Sequence, residues 1–154
     1  MQYIARINWK RNEASFNVKS YDRTHQISFG GGLSIEGSSA PEFLGKADLP
    51  NPEELFTASI SSCFMLTFLY WAAMKGLTID EYDAETVGVL AKNAEGKMAM
   101  TEVIIKPRIH FFENKTPEPA VLEELFKKAH DNCFISNSVK SKITVQSEHV
   151  TAAE

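Results

Sequence analysis

The side chains in this sequence best suited to redox chemistry are the thiols of Cys63 and Cys133. They stand about 70 residues apart, which excludes the closely spaced ligand pairs of a zinc knuckle. A fold that brought them together would create a pair able to pass between dithiol and disulfide. Cys63 lies inside a long apolar run that opens with Asn51-Pro52-Glu53-Glu54, and Cys133 closes the segment His130-Asp131-Asn132-Cys133. The plain alternative for each is a small buried residue, because free cysteine is among the most buried types. A working thiol must be held as thiolate by a nearby cation or donor. No basic residue lies within two helical turns of Cys63, while the first half of the chain offers Arg6, Arg11 and Arg23.

Glu53 adds a geometric constraint. A carboxylate in the first turn of a helix favours the helix dipole, and its alternative role is to hold an arginine. Ten residues separate it from Cys63, roughly 15 Å along a straight helix at about 1.5 Å per residue. One side chain cannot bridge that. If both residues serve one site, either the helix bends or two chains supply them, and the second option predicts a dimer with sites at its interface.

The remaining residues with chemical potential point nowhere else. His25, His110, His130 and His149 have no metal-ligand spacing. Gly30-Gly31-Gly32 is followed by neither Lys-Ser/Thr nor a helix start, so it reads as a strand-linking turn. A net charge of -4 with scattered lysines argues against a phosphate-backbone binder, and Lys127, Lys128, Lys140 and Lys142 read as a solvated face. Two cysteines are too few for a secreted disulfide framework, and the first residues lack a basic region followed by an apolar run. A cytoplasmic chain with reduced thiols is the expectation. Leu55 to Met74 carries no charge and is long enough to span a bilayer. It also carries Thr57, Ser59, Ser61, Ser62 and Thr67 and has its aromatics inside rather than at both ends, so a helix buried in a soluble core is expected.

The elements that must position the thiols follow from periodicity and punctuation. The 154 residues are expected to form one domain. Strands are predicted over Tyr3–Trp9 and Ser15–Val18, joined by a turn at Lys10–Ala14, then over His25–Phe29 and Leu33–Ile35. Residues 37–50 read as a loop. Asn51 as N-cap, Pro52 at the first helical position and Glu54 at capping-box spacing start a helix that runs to about Lys75, where Gly76 stops it. Strands over Glu81–Lys92 and Lys97–Phe112 flank a turn at Asn93–Gly96. Pro107 demands a bend or an edge position. A second helix, Pro117–Asp131, has the apolar stripe Val121, Leu122, Leu125, Phe126 and Ala129. A last strand covers Ser141–Val150. Hairpins outnumber strand–helix alternations, so the fold class is α+β with antiparallel sheets and two main helices.

With these pieces in order, the chain resembles the OsmC/Ohr family of thiol-dependent peroxidases. The matching segments are Asn51-Pro52-Glu53-Glu54-Leu55-Phe56, Ser61-Ser62-Cys63-Phe64 and Cys133-Phe134-Ile135-Ser136-Asn137-Ser138, together with Tyr21-Asp22-Arg23-Thr24-His25. Phe134-Ile135 replaces a proline-containing segment found in many members. The resemblance implies an intertwined homodimer with two long central helices between antiparallel sheets and two sites at the subunit interface. It implies that Cys63 attacks a peroxide, Cys133 resolves the product as a disulfide, Glu53 positions an arginine, and Arg23 is that arginine. It implies an organic hydroperoxide as substrate, a small dithiol or lipoylated thiol as reductant, no cofactor, and neither nucleic acid nor membrane as partner. Phe29, Phe56, Phe64 and Phe134 are candidates for an apolar entrance. The competing expectation is an OsmC-like dimer without efficient turnover that serves as a small-molecule-binding or structural protein.

Overall fold

A computed structural model of the chain describes residues 1–14 and 16–147. It divides into two compact units, Met1–Leu55 and the chain from Phe56 onward.

The first unit is built on an antiparallel sheet of three strands, β1 (Ala5–Asn8), β2 (His25–Phe29) and β3 (Ser34–Gly37), in that order. Ile7 pairs with Ile27, and Ile27 with Ile35. The β2–β3 turn closes through the Phe29 N–H to Leu33 O (2.8 Å) and the Gly32 N–H to Phe29 O (2.9 Å). Gly32 sits at φ 89°, where a Cβ would be strained. The expected strand around Phe16–Val18 does not form, and Ser15 lies outside the described residues. The reason is local. Asn17 Oδ1 accepts the Lys19 N–H, and Asn17 O accepts the N–H groups of Ser20 and Tyr21, so the chain turns there. Phe16 packs against Trp9 and Tyr21 instead of entering the sheet. A single 3₁₀ turn, Pro41–Phe43, interrupts the following loop.

At the start of α1 (Pro52–Met74) the capping box forms as the sequence predicts. The Glu54 N–H donates to Asn51 Oδ1 (2.9 Å) and the Asn51 N–H to Glu54 Oε2 (3.1 Å). Gly76, at φ 74°, provides the exit.

The second unit holds a sheet of β4 (Ile79–Lys92), β5 (Met98–Phe111) and β6 (Lys142–Val145), with α2 (Pro119–Asn132) between β5 and β6 in sequence. The β4–β5 hairpin is antiparallel, as expected. β6 runs parallel to β5, so this sheet is mixed. The difference has a topological cause: an intervening helix permits the crossover that a parallel pair requires. Among the described residues β6 pairs with Glu102–Ile105, which leaves Pro107 beyond that register. The expected continuation of this strand over residues 148–150 lies outside the described residues, as does His149.

Alternation sets the faces of the sheet. Val103, Ile105, Pro107, Ile109 and Phe111 are buried on one side of β5. Ile60, Phe64, Phe68 and Ala72 of α1 and Leu125, Phe126 and Ala129 of α2 join them in one core. Phe126 meets Phe68 at 4.9 Å and Phe64 at 6.5 Å between ring centroids. On the other face, Asp83 pairs with Arg108 and Glu85 with Lys106 across the strands. By length and composition α1 is apolar enough to cross a membrane, yet only 22% of its most apolar stretch is buried. Burial on nearly all sides is therefore not met within one chain. Leu66, Tyr70 and Met74, spaced four residues apart, stay 60%, 57% and 65% exposed along one stripe.

Candidate functional site

Cys63 lies in the middle of α1, one residue before fully buried Phe64, and is half-buried at the edge of the core. Thr67 Oγ1 donates to the Cys63 carbonyl (2.8 Å), a bond within the helix that leaves the thiol uninvolved. Cys133 follows the last residue of α2 in an extended conformation (φ −72°, ψ 112°) and is fully buried. This exit from the helix turns its side chain into the core, where it neighbours Cys63. Both are free thiols. The two cysteines that the sequence left far apart thus form one dithiol.

The environment of that pair is apolar. Burial pushes the Cys133 thiol above its ordinary range, and the neighbouring Cys63 adds to the shift. Ser136, in the turn that follows, opposes it. No charged side chain enters this balance. His130 and Asp131, at the end of α2, are exposed and face each other and Lys127 at the surface.

The other two expected site residues belong to the first unit. Arg23 is half-buried, and its guanidinium donates to Tyr21 O (2.9 Å) and Val18 O (2.7 Å) while lying 4.1 Å over the Tyr21 ring. It lines a cavity of about 600 Å³ with Trp9, Phe16, Tyr21, His25 and Phe43. His25 Nδ1 meets Arg23 O at 2.9 Å, which fixes the ring beside the arginine's own backbone. Glu53 is half-buried in the first turn of α1, with Oε2 shielded from solvent. Arg6 lies exposed on β1, and Arg11 donates to Ala14 O (3.2 Å).

Sequence reasoning did not find that cavity. Its signal was present in the alternate spacing of Tyr21, Arg23 and His25, but the aromatics that wall it come from segments read as a hairpin. The proposed phenylalanine entrance is corrected at Phe64, which is fully buried within the core. Phe134 is 81% exposed beside Cys133, Phe29 lies on β2, and Phe56 packs against the core.

The family model for OsmC-like proteins matches residues 45–148, a stretch that includes both thiols and the α1 cap. The chain belongs to the OsmC-like family. An OsmC-like protein of unknown function from Vibrio cholerae has 35% sequence identity and a TM-score of 0.90, over 95% of this chain and 98% of that one. Organic hydroperoxide resistance proteins share the OsmC-like fold at lower identity. The one from Elizabethkingia anophelis is 20% identical, with a TM-score of 0.71 over 94% of this chain and 92% of that one. OhrB of Bacillus subtilis is 19% identical, with a TM-score of 0.66 over 95% and 98%. An uncharacterised protein of Bacillus subtilis, YmaD, is 23% identical over 77% of this chain and 79% of its own length.

Proposed function

We propose that this OsmC-like protein is a thiol-dependent peroxidase that reduces organic hydroperoxides in the cytoplasm, as a homodimer and without a cofactor. The observation that carries this reading is the meeting of the Cys63 and Cys133 thiols at the core edge. Cys63, the more accessible of the two, attacks the distal oxygen of the hydroperoxide as thiolate. The O–O bond breaks, an alcohol leaves after taking up a proton, and Cys63 becomes a sulfenic acid. The Cys133 sulfur then attacks the Cys63 sulfur. An S–S bond forms, the S–O bond breaks, and the hydroxide leaves as water with the Cys133 proton. A small dithiol or lipoylated thiol restores both thiols by two exchange steps and is itself oxidised to a disulfide.

In this reading Arg23 supports the Cys63 thiolate and Glu53 positions Arg23. α1 is continuous from Pro52 to Met74, so the spacing argument favours contributions from two chains to each site. The exposed stripe of Leu66, Tyr70 and Met74 supports the same assembly, because apolar patches of this kind mark interaction surfaces.

Purified protein is expected to consume cumene hydroperoxide in the presence of dithiothreitol. Mass spectrometry of peroxide-treated protein is expected to find a Cys63–Cys133 linkage. Cys63→Ser abolishes both, and turnover that survives this substitution overturns the proposal. A second reading is favoured by one observation, the aromatic-walled cavity that Arg23 lines. In it the protein is an OsmC-fold dimer that holds an apolar small molecule, for which the 600 Å³ cavity has room. Slow turnover together with retention of an apolar ligand through purification supports that reading over the first.

A further inference from the structure

The cavity of about 600 Å³ belongs wholly to the first unit, since the residues that line it fall within Met1–Leu55. Its walls are fixed in advance. Trp9 Nε1 donates to Asp22 O (2.7 Å), and the Trp9 ring meets Tyr21 edge-on at 6.2 Å. Phe16 lies 5.7 Å from Trp9 and 5.1 Å from Tyr21 between ring centroids. The Asp22 carboxylate accepts from the Thr24 N–H (2.9 Å) and the Thr24 hydroxyl (2.7 Å), which anchors the segment that carries Tyr21 and Arg23. Rings held in this way lose little freedom when a flat guest packs against them. The polar lining is sparse and mostly engaged. The Ser38 hydroxyl accepts the Lys46 N–H (3.2 Å), and the Ser39 hydroxyl donates to Phe43 O (3.1 Å). His25 Nδ1 donates to Arg23 O (2.9 Å), because a carbonyl can only accept.

Arg23 is the one permanently charged side chain among the described residues that line the cavity. Its partners are neutral: the carbonyls of Tyr21 (2.9 Å) and Val18 (2.7 Å) and the face of the Tyr21 ring. No carboxylate of the described residues comes within ion-pair distance of it. The adjacent Asp22 carboxylate is engaged by Thr24 and, at 3.7 Å, by Lys46. A half-buried guanidinium held only by dipoles keeps its full charge beside an apolar wall. An anion placed there gains a charge-assisted bond, and the arginine's share of desolvation is already incurred. Phe16 and Phe43, 66% and 50% exposed, offer the apolar surface that a guest would cover. We propose that this cavity is a binding site for an aromatic carboxylate, with the aryl body against Trp9, Phe16 and Phe43 and the carboxylate accepting from Arg23. The proposal rests on the reading in which the cavity holds a small molecule, and it names the chemical class of that molecule. A wholly apolar guest leaves the Arg23 charge without a counterpart, and an inorganic anion leaves the aromatic wall in water. A flat body with an acidic group satisfies both, and the volume is ordinary for a small-molecule site.

The test compares 2-naphthoate with 2-naphthamide, which has nearly the same shape without the charge, by titration calorimetry on the purified protein. Naphthoate is expected to bind about tenfold more tightly than the amide. Equal affinities overturn the proposal and leave standing the reading in which the cavity holds a small molecule. Failure of both to bind removes that reading as well. Arg23→Gln is expected to erase the preference for naphthoate, and a preference that survives it overturns the proposal. Because the Arg23 side chain also ties the backbone, Phe43→Glu serves as a second variant. It adds a carboxylate at the exposed wall, leaves the bonds of Arg23 in place, and is expected to lower the naphthoate-to-naphthamide affinity ratio about tenfold. An unchanged ratio there overturns the proposal. Phe16→Ala is expected to weaken both ligands alike, and unaltered affinity for both places the aryl group elsewhere and overturns it too. Arg11→Gln, at an exposed arginine outside the cavity, is expected to leave the ratio unchanged. A loss there equal to that of Arg23→Gln assigns the anion to general surface charge and defeats the site.

Discussion

From Phe56 onward the chain buries Ile60, Phe64, Phe68, Ile105 and Leu125 completely, whereas Met1–Leu55 buries Ile27 and leaves Ile7, Phe16, Val18, Leu33 and Phe43 in solvent. The second unit has two helices whose apolar stripes cover one face of its sheet, and the thiol pair forms at the edge of that cover. The first unit has a three-stranded meander and only the first turn of α1. A sheet face without a helix or second sheet against it has nothing of its own with which to exclude water. Both cysteines accordingly sit in the well-packed unit. The loosely covered unit carries Arg23 and the open cavity that it lines.

The largest effect that would break this contrast is on stability. Phe64→Ala removes a ring packed on Phe126 and is expected to lower unfolding free energy by about 3–5 kcal/mol. Val18→Ser, at an exposed position of the first unit, is expected to change it by less than about 0.5 kcal/mol in the monomer. Denaturant titration reads both, and equal losses would mean that the two units are packed alike. Next comes assembly. Leu66→Glu in the exposed stripe of α1 is expected to weaken self-association about a hundredfold in sedimentation, near 2.7 kcal/mol, because it buries an unpaired charge. An unaltered dimer would move the proposed interface elsewhere.

Smaller effects sharpen the contrast inside each unit. A Cβ at Gly45 would meet the Ser39 carbonyl oxygen at 1.6 Å, so Gly45→Ala is expected to cost about 1–3 kcal/mol by overpacking. Gly31→Ala meets open space and should be nearly neutral. Asn51→Ala removes half of the capping box and is expected to cost about 1 kcal/mol by thermal unfolding. Smallest, and opposite in sign, is Tyr82→Phe. The Tyr82 hydroxyl is buried without a hydrogen-bond partner among the described residues, and its removal is expected to stabilise by about 1 kcal/mol. Burial also pushes this phenol above its usual range. The folded state then holds the proton more tightly than the unfolded state, so stability falls as pH rises past about 10. Tyr82→Phe should remove that part of the slope in unfolding curves taken across the alkaline range.

Much was legible in order along the chain. Asn51, Pro52, Glu54 and Gly76 marked both ends of α1 because caps and stops act within a few residues. The alternation of Val103, Ile105, Ile109 and Phe111 marked the inner face of β5, because pleating has a period of two. Phe16 and Val18 misled, since a short alternating run does not reveal that Asn17 and Asp22 will hold the chain in turns through their side chains. The direction of β6 was equally invisible, because it depends on where α2 returns the chain.

By itself the sequence determined the residue types and the local rules: two thiols, a capped apolar helix, a helix that ends beside the second cysteine, and the family motifs around them. Only the tertiary structure decided that Cys133 lies buried beside Cys63, and that Arg23 lines an aromatic cavity in the other unit. The physical reason is range. Capping, turns and pleating act over a few residues, whereas the meeting of side chains about 70 positions apart depends on how α1 and α2 share one apolar core over the sheet, which is a property of the whole packed set.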